Sequence, residues 1–348
     1  MVRKVLWAGL GVGPLVIALE HLGVGDVTLF VLAAVALIPL AWLIGVATEH
    51  AAHHTGPGIG GFINATFGNA PELIIALFAV ADGLTEVVRG SLTGSVIGNL
   101  LLVLGFSLAF GGKGQLDRWS SLLSLALVGG ASLLFLVPSI PGWEGDPERH
   151  SLVVASLAVS IVLLCVYVVV TWYALRRHRQ THVSDEPEAM QAWSLPLSLG
   201  VLLAATVVTA FVAEALVGSI EVFSEELGLS EFFVAAVIVA IVGNAAEHGG
   251  AVVVAARGKI KLAAEIALAS SAQVAVFLIP AVAVLSWLVT PALALSFRVV
   301  EIAALLGSML FVAVVIWGGH SSRGRGIALI AAYVGVAVAF FLVGERGH

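Results

Sequence analysis

Long apolar segments alternate with short polar connections along almost the whole chain. Most of these segments reach about 20 residues or more, the length of helix that crosses a lipid bilayer. They are continuous and show no alternation of period two, so they predict helices rather than barrel strands. The pattern predicts eleven membrane helices, near residues 4–20, 27–48, 58–81, 86–110, 119–138, 151–175, 195–220, 230–256, 262–289, 293–317 and 326–344.

The composition agrees with a membrane protein. Hydrophobic residues make up 60% of the chain, charged residues only 11%, and the mean hydropathy is +1.08. A soluble domain carries roughly 25% charged residues, so this chain has too little polar surface for a soluble globule of its size. The net charge of −6, without a long basic run, gives no reason to expect nucleic-acid binding. The single cysteine, Cys165, excludes an internal disulfide and a cysteine metal cluster.

The basic residues predict the orientation in the membrane. If the N-terminus is cytoplasmic, twelve of the 16 Lys and Arg residues fall on the cytoplasmic side, and Arg89, Arg149, Arg298 and Arg346 fall outside. This bias is typical of cytoplasmic loops. It predicts a multi-pass protein of the cell (inner or plasma) membrane with a cytoplasmic N-terminus and central linker and an outer C-terminus. The outer connections collect acids, which are either solvated loop ends or a weakly cation-attracting mouth.

A five-residue polar motif occurs once in each half of the chain. It reads Gly68-Asn69-Ala70-Pro71-Glu72 in the first half and Gly243-Asn244-Ala245-Ala246-Glu247 in the second. The next predicted helix of each half carries an amide residue, Asn99 or Gln273, at a similar distance from the motif glutamate. The halves therefore match over more than one helix, as expected of an internal repeat.

The repeat predicts the fold class and the division of the chain. Setting the first helix aside leaves five helices in each half, and an odd number forces the two halves into opposite orientations. The prediction is an all-α polytopic membrane protein with one helix plus two five-helix inverted-topology repeats, an arrangement that places transporter sites near the bilayer midplane. The predicted units are an N-terminal helix (1–24), a first repeat (25–176), a cytoplasmic linker (177–193) and a second repeat (194–348).

Two glutamates in the middle of predicted membrane helices need a chemical explanation. An ionised residue at the bilayer centre costs at least about 2.5–3.5 kcal/mol, and the predicted helices place no basic residue beside Glu72 or Glu247. Their charge is therefore neutralised by protons or by a bound cation. In each motif the asparagine and the glutamate are three positions apart and share a helix face. Carboxylate, amide and carbonyl oxygens favour Ca²⁺, Mg²⁺ or Mn²⁺, so the pattern indicates a proton/cation antiporter.

Other polar residues join this hypothesis in weaker roles. The candidate cation ligands are Glu72, Glu247, Asn69, Asn244, Gly68, Gly243, Asn99, Gln273, Ser95 and Ser271, and the candidate proton-relay or gating residues are Glu49, Glu214 and His248. Pro71 either kinks its helix or also frees the Phe67 carbonyl as a ligand. His50, His53 and His54 near the inner end of the second predicted helix are either interfacial side chains or pH sensors. Glu301 has no assigned role.

These motifs resemble the calcium/cation antiporter superfamily, and within it the Ca²⁺/H⁺ exchangers of the short prokaryotic type. The resemblance covers essentially the whole chain and is carried by residues 68–72, 94–99, 241–248 and 270–273. It implies an eleven-helix exchanger in which Glu72 and Glu247 bind Ca²⁺ and Glu49 and Glu214 assist. Pro71 departs from the family, whose members more often have Ala, Val or Thr there. The implied substrates are Ca²⁺ and protons, in a lipid bilayer, with no cofactor and no enzymatic reaction.

Several functions remain open on the sequence alone. The leading hypothesis is export of cytosolic Ca²⁺ by alternating access, driven by inward proton flow. Na⁺-coupled exchange on the same scaffold is the nearest alternative, and a divalent cation channel is a more distant one, because two acids in one closed site suit occlusion better than a multi-ion pore. An intramembrane enzyme is disfavoured, since no catalytic Ser/His, Asp/Asp or zinc-type set is present. The oligomeric state is left open.

Overall fold

The computed structural model describes residues 2–181 and 193–344, with side chains described throughout except at 2–3, 55–62, 64–65, 174–181 and 246–248. Within these ranges, nine helices are long and apolar enough to cross a membrane. They correspond to nine of the eleven helices predicted from the sequence. The predicted fold class, an all-α polytopic membrane protein built from repeats, is confirmed.

The secondary structure is almost entirely helical. The first half contains α1 (Val2–Gly9), α2 (Val12–His21), α3 (Asp26–Phe67), α4 (Ala70–Ala81), α5 (Thr85–Ile97), α6 (Leu104–Gly111), α7 (Arg118–Gly142) and α8 (His150–Thr181). The second half contains α9 (Leu195–Gly218), α10 (Ile220–Leu227), α11 (Glu231–Phe233), α12 (Ala240–Gly243), α13 (Ala245–Ala256), α14 (Ile260–Gln273), α15 (Ile279–Leu285), α16 (Val299–Ile316) and α17 (Arg323–Val343).

Short irregular elements complete the chain. Wider π-helical turns over Gly98–Val103, Val234–Val239 and Val274–Leu278 continue α5, α11 and α14 into the helices that follow them. A 3₁₀ turn, Ser286–Leu288, follows α15. Strands β1 (Gly114–Gln115) and β2 (His320–Ser321) pair antiparallel, with Gly114 opposite Ser321. Helix α8 runs five residues into the segment predicted as the linker, and residues 182–192 lie outside the described part of the chain.

The two predicted helices that carry the motif are each interrupted at the motif asparagine. Helix α3 ends at Phe67 and α4 begins at Ala70, while α12 ends at Gly243 and α13 begins at Ala245. The backbone leaves helical geometry at Asn69 (φ −98°, ψ 15°) and at Asn244 (φ −90°, ψ 4°). At the second break the Ala240 carbonyl accepts both the backbone amide of Asn244 at 3.3 Å and its side-chain Nδ2 at 2.9 Å.

Helix α3 is bent before it reaches the first motif. Ala47 and Ala70 belong to the same hydrophobic cluster as Leu202. A straight helix would separate Ala47 from Ala70 by about 35 Å, because each residue adds about 1.5 Å of rise. The chain therefore bends between them. It nevertheless stays helical from Asp26 to Phe67, through the connection that was predicted between the helices at 27–48 and 58–81.

The two repeats follow one another along the chain at a constant interval. Helices α4 and α13 each have 12 residues and start at Ala70 and Ala245, 175 positions apart. Helices α5 and α14 start at Thr85 and Ile260, again 175 positions apart. The turns before them use glycines with positive φ, Gly83 (79°) and Gly258 (81°). The match predicted from two short motifs thus extends through a helix, a turn and the start of the next helix.

The repeats pack closely on one another at Gly94 of α5. A Cβ atom at this position would lie 2.0 Å from the Ala236 carbonyl oxygen and 2.8 Å from the Ala240 Cβ. Only glycine permits this approach of the α5 backbone to the second repeat. Small residues that allow backbones to approach are the usual means of helix packing in membranes, where lipid offers no hydrophobic drive between helices.

Two groups of ion-paired residues lie near opposite ends of α7. The group of Glu86, Arg89, Glu148 and Arg298 is called the outer face, and the group of Asp117, Lys261 and the β1–β2 pair the inner face, after the orientation predicted from the basic residues. On the inner face Lys261 Nζ lies 3.2 Å from Asp117 Oδ2. Asp117 also caps α7, accepting the Ser120 amide at 3.0 Å. The Ser120 amide and Lys261 lower the pKa of Asp117 below its usual value.

Candidate cation site

The first motif places its glutamate against the second motif. Glu72 lies in the first turn of α4 and is only 8% exposed. Its side chain occupies the space beside Gly243, where a Cβ would lie 3.2 Å from Glu72 Cγ and 3.7 Å from its Cδ and Oε1. Residues 171 positions apart therefore meet at one point inside the protein, because the repeats bring their broken helices together.

Pro71 is accommodated by the break and does not cause it. The proline stands at the start of α4, where the missing backbone donor would be free in any case. The second repeat breaks at the equivalent position although residue 246 is alanine. The interruption is thus a property of the motif in both repeats.

A buried hydrogen-bond network joins the asparagines of both repeats. Asn244 Nδ2 donates to Ser95 Oγ at 2.8 Å and to the Ala240 carbonyl at 2.9 Å. Asn99 Nδ2 donates to Ser270 Oγ at 3.0 Å and to Asn244 Oδ1 at 3.4 Å. The side-chain amide oxygen of Asn99, Oδ1, is buried and accepts no hydrogen bond from the described residues. This network therefore offers a neutral oxygen ligand in the protein interior.

One serine of the network was missed by the sequence prediction. Ser271, the predicted ligand, donates to the Ala267 carbonyl of its own helix at 2.9 Å and does not reach the network. Ser270 occupies that place. Ser270 lies 175 positions after Ser95, so the repeat interval was the signal that identifies it. By the same interval Gln273 matches Gly98, and Asn99 matches Val274, so the two amides are one residue out of register.

The other predicted ligands sit at or beside the breaks. Asn69 is buried at 1% exposure, and Gly68 precedes it at the break before α4. Gln273 is the last residue of α14 and is half-buried. Glu247 and His248 belong to the first turn of α13, but their side chains lie outside the described part of the structure. The structure thus gathers Glu72, Gly243 and the asparagine–serine network around the two breaks.

The structure does not bring the two predicted relay acids together. Glu49 and Glu214 are both exposed. Helices α3 and α9 pack antiparallel, since Phe30 stacks on Phe223 just beyond the end of α9 while Ala47 shares a cluster with Leu202 near its start. Glu214 lies about 29 Å of helix beyond the start of α9, at the end opposite to Glu49. Any relay would therefore use them separately, at opposite ends of the packed helices α3 and α9.

The acids of the outer face are engaged in ion pairs. Arg89, only 1% exposed, pairs with Glu148 and, at 2.6 Å, with Glu86, while Arg298 also pairs with Glu86. These residues line a cavity of about 880 Å³. The carboxylate of Glu301, which had no assigned role, accepts hydrogen bonds from the Thr93 hydroxyl at 3.0 Å and from the Arg298 backbone amide at 2.8 Å. The network ties α5 of the first repeat to the start of α16 in the second.

Comparison with known proteins agrees with this architecture. The family described as sodium/calcium exchanger protein matches residues 26–176 and 197–342, one segment in each half. The Ca²⁺/H⁺ antiporter ChaA of Bacillus subtilis (strain 168) is 39% identical over 334 residues, covering 90% of this chain and 92% of that protein. A Ca²⁺/H⁺ antiporter of Synechocystis sp. is 38% identical over 351 residues, covering 94% of each chain.

A solved structure shows the same fold. The structure described as native YfkE superposes with a TM-score of 0.84 at 34% sequence identity, covering 98% of this chain and 100% of its own. The chain belongs to the sodium/calcium exchanger protein family, and its resemblance to the Ca²⁺/H⁺ exchangers, first drawn from the paired motifs, is confirmed.

Proposed function

We propose that this protein is a secondary active antiporter that exchanges Ca²⁺ for protons by alternating access at one midplane site. The observation that carries the proposal is the meeting of Glu72 with Gly243 between two broken helices. Broken helices of opposite repeats form the ion sites of many secondary transporters. The names of the relatives, Ca²⁺/H⁺ antiporters in Bacillus subtilis and Synechocystis, support Ca²⁺ and protons as the exchanged ions.

The two motif glutamates hold the ion in this proposal. Glu72 and Glu247 together carry two negative charges, which match one Ca²⁺ or two protons. Calcium takes six to eight oxygen ligands at about 2.3–2.6 Å. Oxygens beyond the two carboxylates come from neutral groups of both repeats: Asn69, Asn244, Asn99, Gln273, Ser95, Ser270 and the backbone at Gly68 and Gly243. Ser271, which bonds its own helix, is not among them. Glu49, Glu214 and His248 act in proton relay or gating.

The proposed direction is export of cytosolic Ca²⁺ across the cell membrane. It rests on the distribution of basic residues, which favours a cytoplasmic N-terminus and linker. The cycle needs no cofactor and includes no enzymatic step. An exchanger of this kind closes the site on one side before it opens on the other, so Ca²⁺ and protons compete for the same carboxylates.

Calcium uptake into inside-out membrane vesicles tests the proposal. An acid lumen should drive Ca²⁺ uptake from the bath, and Glu72→Gln should reduce the initial rate at least tenfold because it removes one of the two charges. The matched control is Glu226→Gln, an exposed acid of α10 that should leave the rate unchanged.

Three results would contradict the proposal in different ways. Normal uptake by the Glu72→Gln variant would remove the glutamate from the site. Uptake driven by a Na⁺ gradient, and not by a pH gradient, would establish Na⁺-coupled exchange. Failure to accumulate Ca²⁺ against its own gradient would indicate a channel.

A further inference from the structure

Two histidines of α3, His50 and His54, contact one tryptophan, Trp193. The His50 ring stacks on the Trp193 indole with 4.5 Å between ring centroids and 23° between the planes. A ring nitrogen of His54, Nε2, lies 2.7 Å from the Trp193 carbonyl oxygen. His50 is buried (7% exposed), whereas His53, from the same sequence cluster, is exposed. Only His50 and His54 of the three predicted histidines contact Trp193 in the described structure.

Trp193 connects the two repeats beside the first motif. It is the last residue of the predicted linker and directly precedes Ser194, the residue before α9, so it adjoins the second repeat. Its indole packs on a cluster that includes Ala47 of α3 and Ala70, the first residue of α4. Ala70 lies two positions before Glu72. The tryptophan therefore bridges the repeats immediately on the inner side of the motif break.

Protonation strengthens both histidine contacts. A neutral imidazole donates from only one of its two nitrogens, whereas the protonated ring donates from both. Protonated His54 therefore always has a donor for the Trp193 carbonyl, and its charge strengthens that bond. Protonated His50 lies over the face of an indole, the best aromatic partner for a cation. Histidine changes charge between about pH 5 and 8, the range of cytosolic acidification.

Among the described residues, His50 and His54 are the titratable side chains whose contacts with Trp193 the structure shows. Helix α9 contributes only Glu214, about five turns away. Glu49 and His53 on α3 are exposed, and the His53 ring lies edge-on to the His54 ring with 5.9 Å between centroids. Asp26 lies at the far end of α3. The charged and histidine residues on the other helices packed against α3 are Arg3, Lys4, Glu20, His21, Glu72, His150, Arg176, Arg177, His178, Arg179, Glu221, Glu225, Glu226, Glu247 and His248.

We propose that His50 and His54 form a cytosolic proton-binding site that clamps Trp193 between the repeats and slows the exchanger when the cytosol becomes acid. Relative movement of the repeats is what alternating access requires, and a contact that bridges them opposes that movement. An exchanger that imports protons would thereby limit its own activity. The effect on transport rests on the proposed Ca²⁺/H⁺ exchange, whereas the proton-binding site stands on the contacts alone.

Calcium uptake into inside-out vesicles at two bath pH values tests the clamp, because the bath then represents the cytosol. The lumen pH is shifted in parallel so that the pH gradient stays constant. The double variant His50→Phe/His54→Gln keeps an aromatic ring and an N–H donor but cannot titrate. We expect it to be about three- to tenfold faster than the wild type at about pH 6 and within about twofold of it at about pH 8. His21→Gln, the matched control at an exposed histidine of α2, should follow the wild type at both values.

A fluorescence titration separates failure of the clamp from failure of the proposed function. Trp193 emission is taken as the difference between the wild type and Trp193→Phe. It should fall on acidification because a protonated imidazole quenches a stacked indole, and His50→Phe should abolish the change.

The clamp would be overturned if the wild type exchanges ions but the double variant takes up Ca²⁺ at the same rate as the wild type at both pH values. If no variant exchanges Ca²⁺ for protons, the proposed function fails. The titration then decides the proton-binding site, and a pH-independent Trp193 emission would overturn it.

Discussion

At the scale of single residues, the tightest constraint on the candidate site is the missing side chain at Gly243. We predict that Gly243→Ala weakens Ca²⁺ binding about tenfold, since the new Cβ would stand 3.2 Å from Glu72 Cγ and displace the carboxylate by tenths of an ångström. Half-saturation of Ca²⁺ uptake measures the effect. Gly307→Ala is the matched control, because its Cβ meets no described atom within 4 Å. Equal half-saturation in both variants would contradict the seating of Glu72 on Gly243.

Neighbouring serines offer a second test at this scale. Ser270→Ala removes the acceptor of the Asn99 amide, and a buried donor left without a partner costs about 1–3 kcal/mol. Ser271→Ala removes only a bond to its own helix. We therefore predict a lower melting temperature and slower uptake for Ser270→Ala and near-normal values for Ser271→Ala. The reverse order would show that the network uses the other serine.

The limits of prediction at the residue scale follow from helix geometry. Glu72 and the asparagines were identifiable because polar groups in an apolar helix are costly and need a reason. Ser270 and Ser271 could not be distinguished by residue type, since neighbours on a helix point about 100° apart and both are serine. The contact of His50 with Trp193 joins residues 143 positions apart, and no local pattern indicates it.

At the scale of helices, Gly94 determines how closely the repeats approach. We predict that Gly94→Ala destabilises the protein by about 3 kcal/mol or more, because the added methyl overlaps the Ala236 carbonyl and the helices must separate. Thermal unfolding in detergent measures this. Gly98→Ala, on the continuation of the same helix and with no described atom within 4 Å, should be far milder. Equal melting temperatures would show that the helices are not in backbone contact.

The start of α7 gives a pH-dependent prediction. The pKa of Asp117 is lowered in the folded protein, so its stabilising effect is present above its unfolded pKa of about 3.9 and is lost as pH falls through the lower folded value. Removing the cap with Asp117→Ala should cost about 1 kcal/mol near neutral pH. The difference in melting temperature from the wild type should shrink below about pH 4. A constant difference would exclude ionisation as its source.

Helices were easier to predict than the breaks within them. Nine helices follow directly from apolar length, whereas the continuous helix α3 replaces the connection predicted between residues 48 and 58. A kink in the first motif helix was predicted from Pro71, but the breaks at Asn69 and Asn244 could not be located from hydropathy, which averages over a helix and is insensitive to two residues of altered backbone. Ala246 shows that the second break needs no proline.

At the scale of the whole molecule, the two repeats are similar without being equivalent. Glu72 is followed by Leu73 and Glu247 by His248, and Asn99 and Gln273 stand one residue out of register. We predict that Glu72→Asp and Glu247→Asp, which keep the charge but shorten its reach, shift the pH for half-maximal uptake by different amounts. Titrating uptake against bath pH measures both shifts. Identical shifts would indicate that the two glutamates act as an equivalent pair.

The burial of Glu72 against Gly243 has a consequence for leakage. An ionised carboxylate enclosed in protein carries a desolvation penalty of several kcal/mol. In the proposed cycle, a carrier that has released its Ca²⁺ and taken up no proton would have to carry that charge through the closed state. The penalty makes this futile return step slow. Strict stoichiometric coupling, with little loss of the proton gradient when Ca²⁺ is absent, is therefore the expected result of where one glutamate is packed.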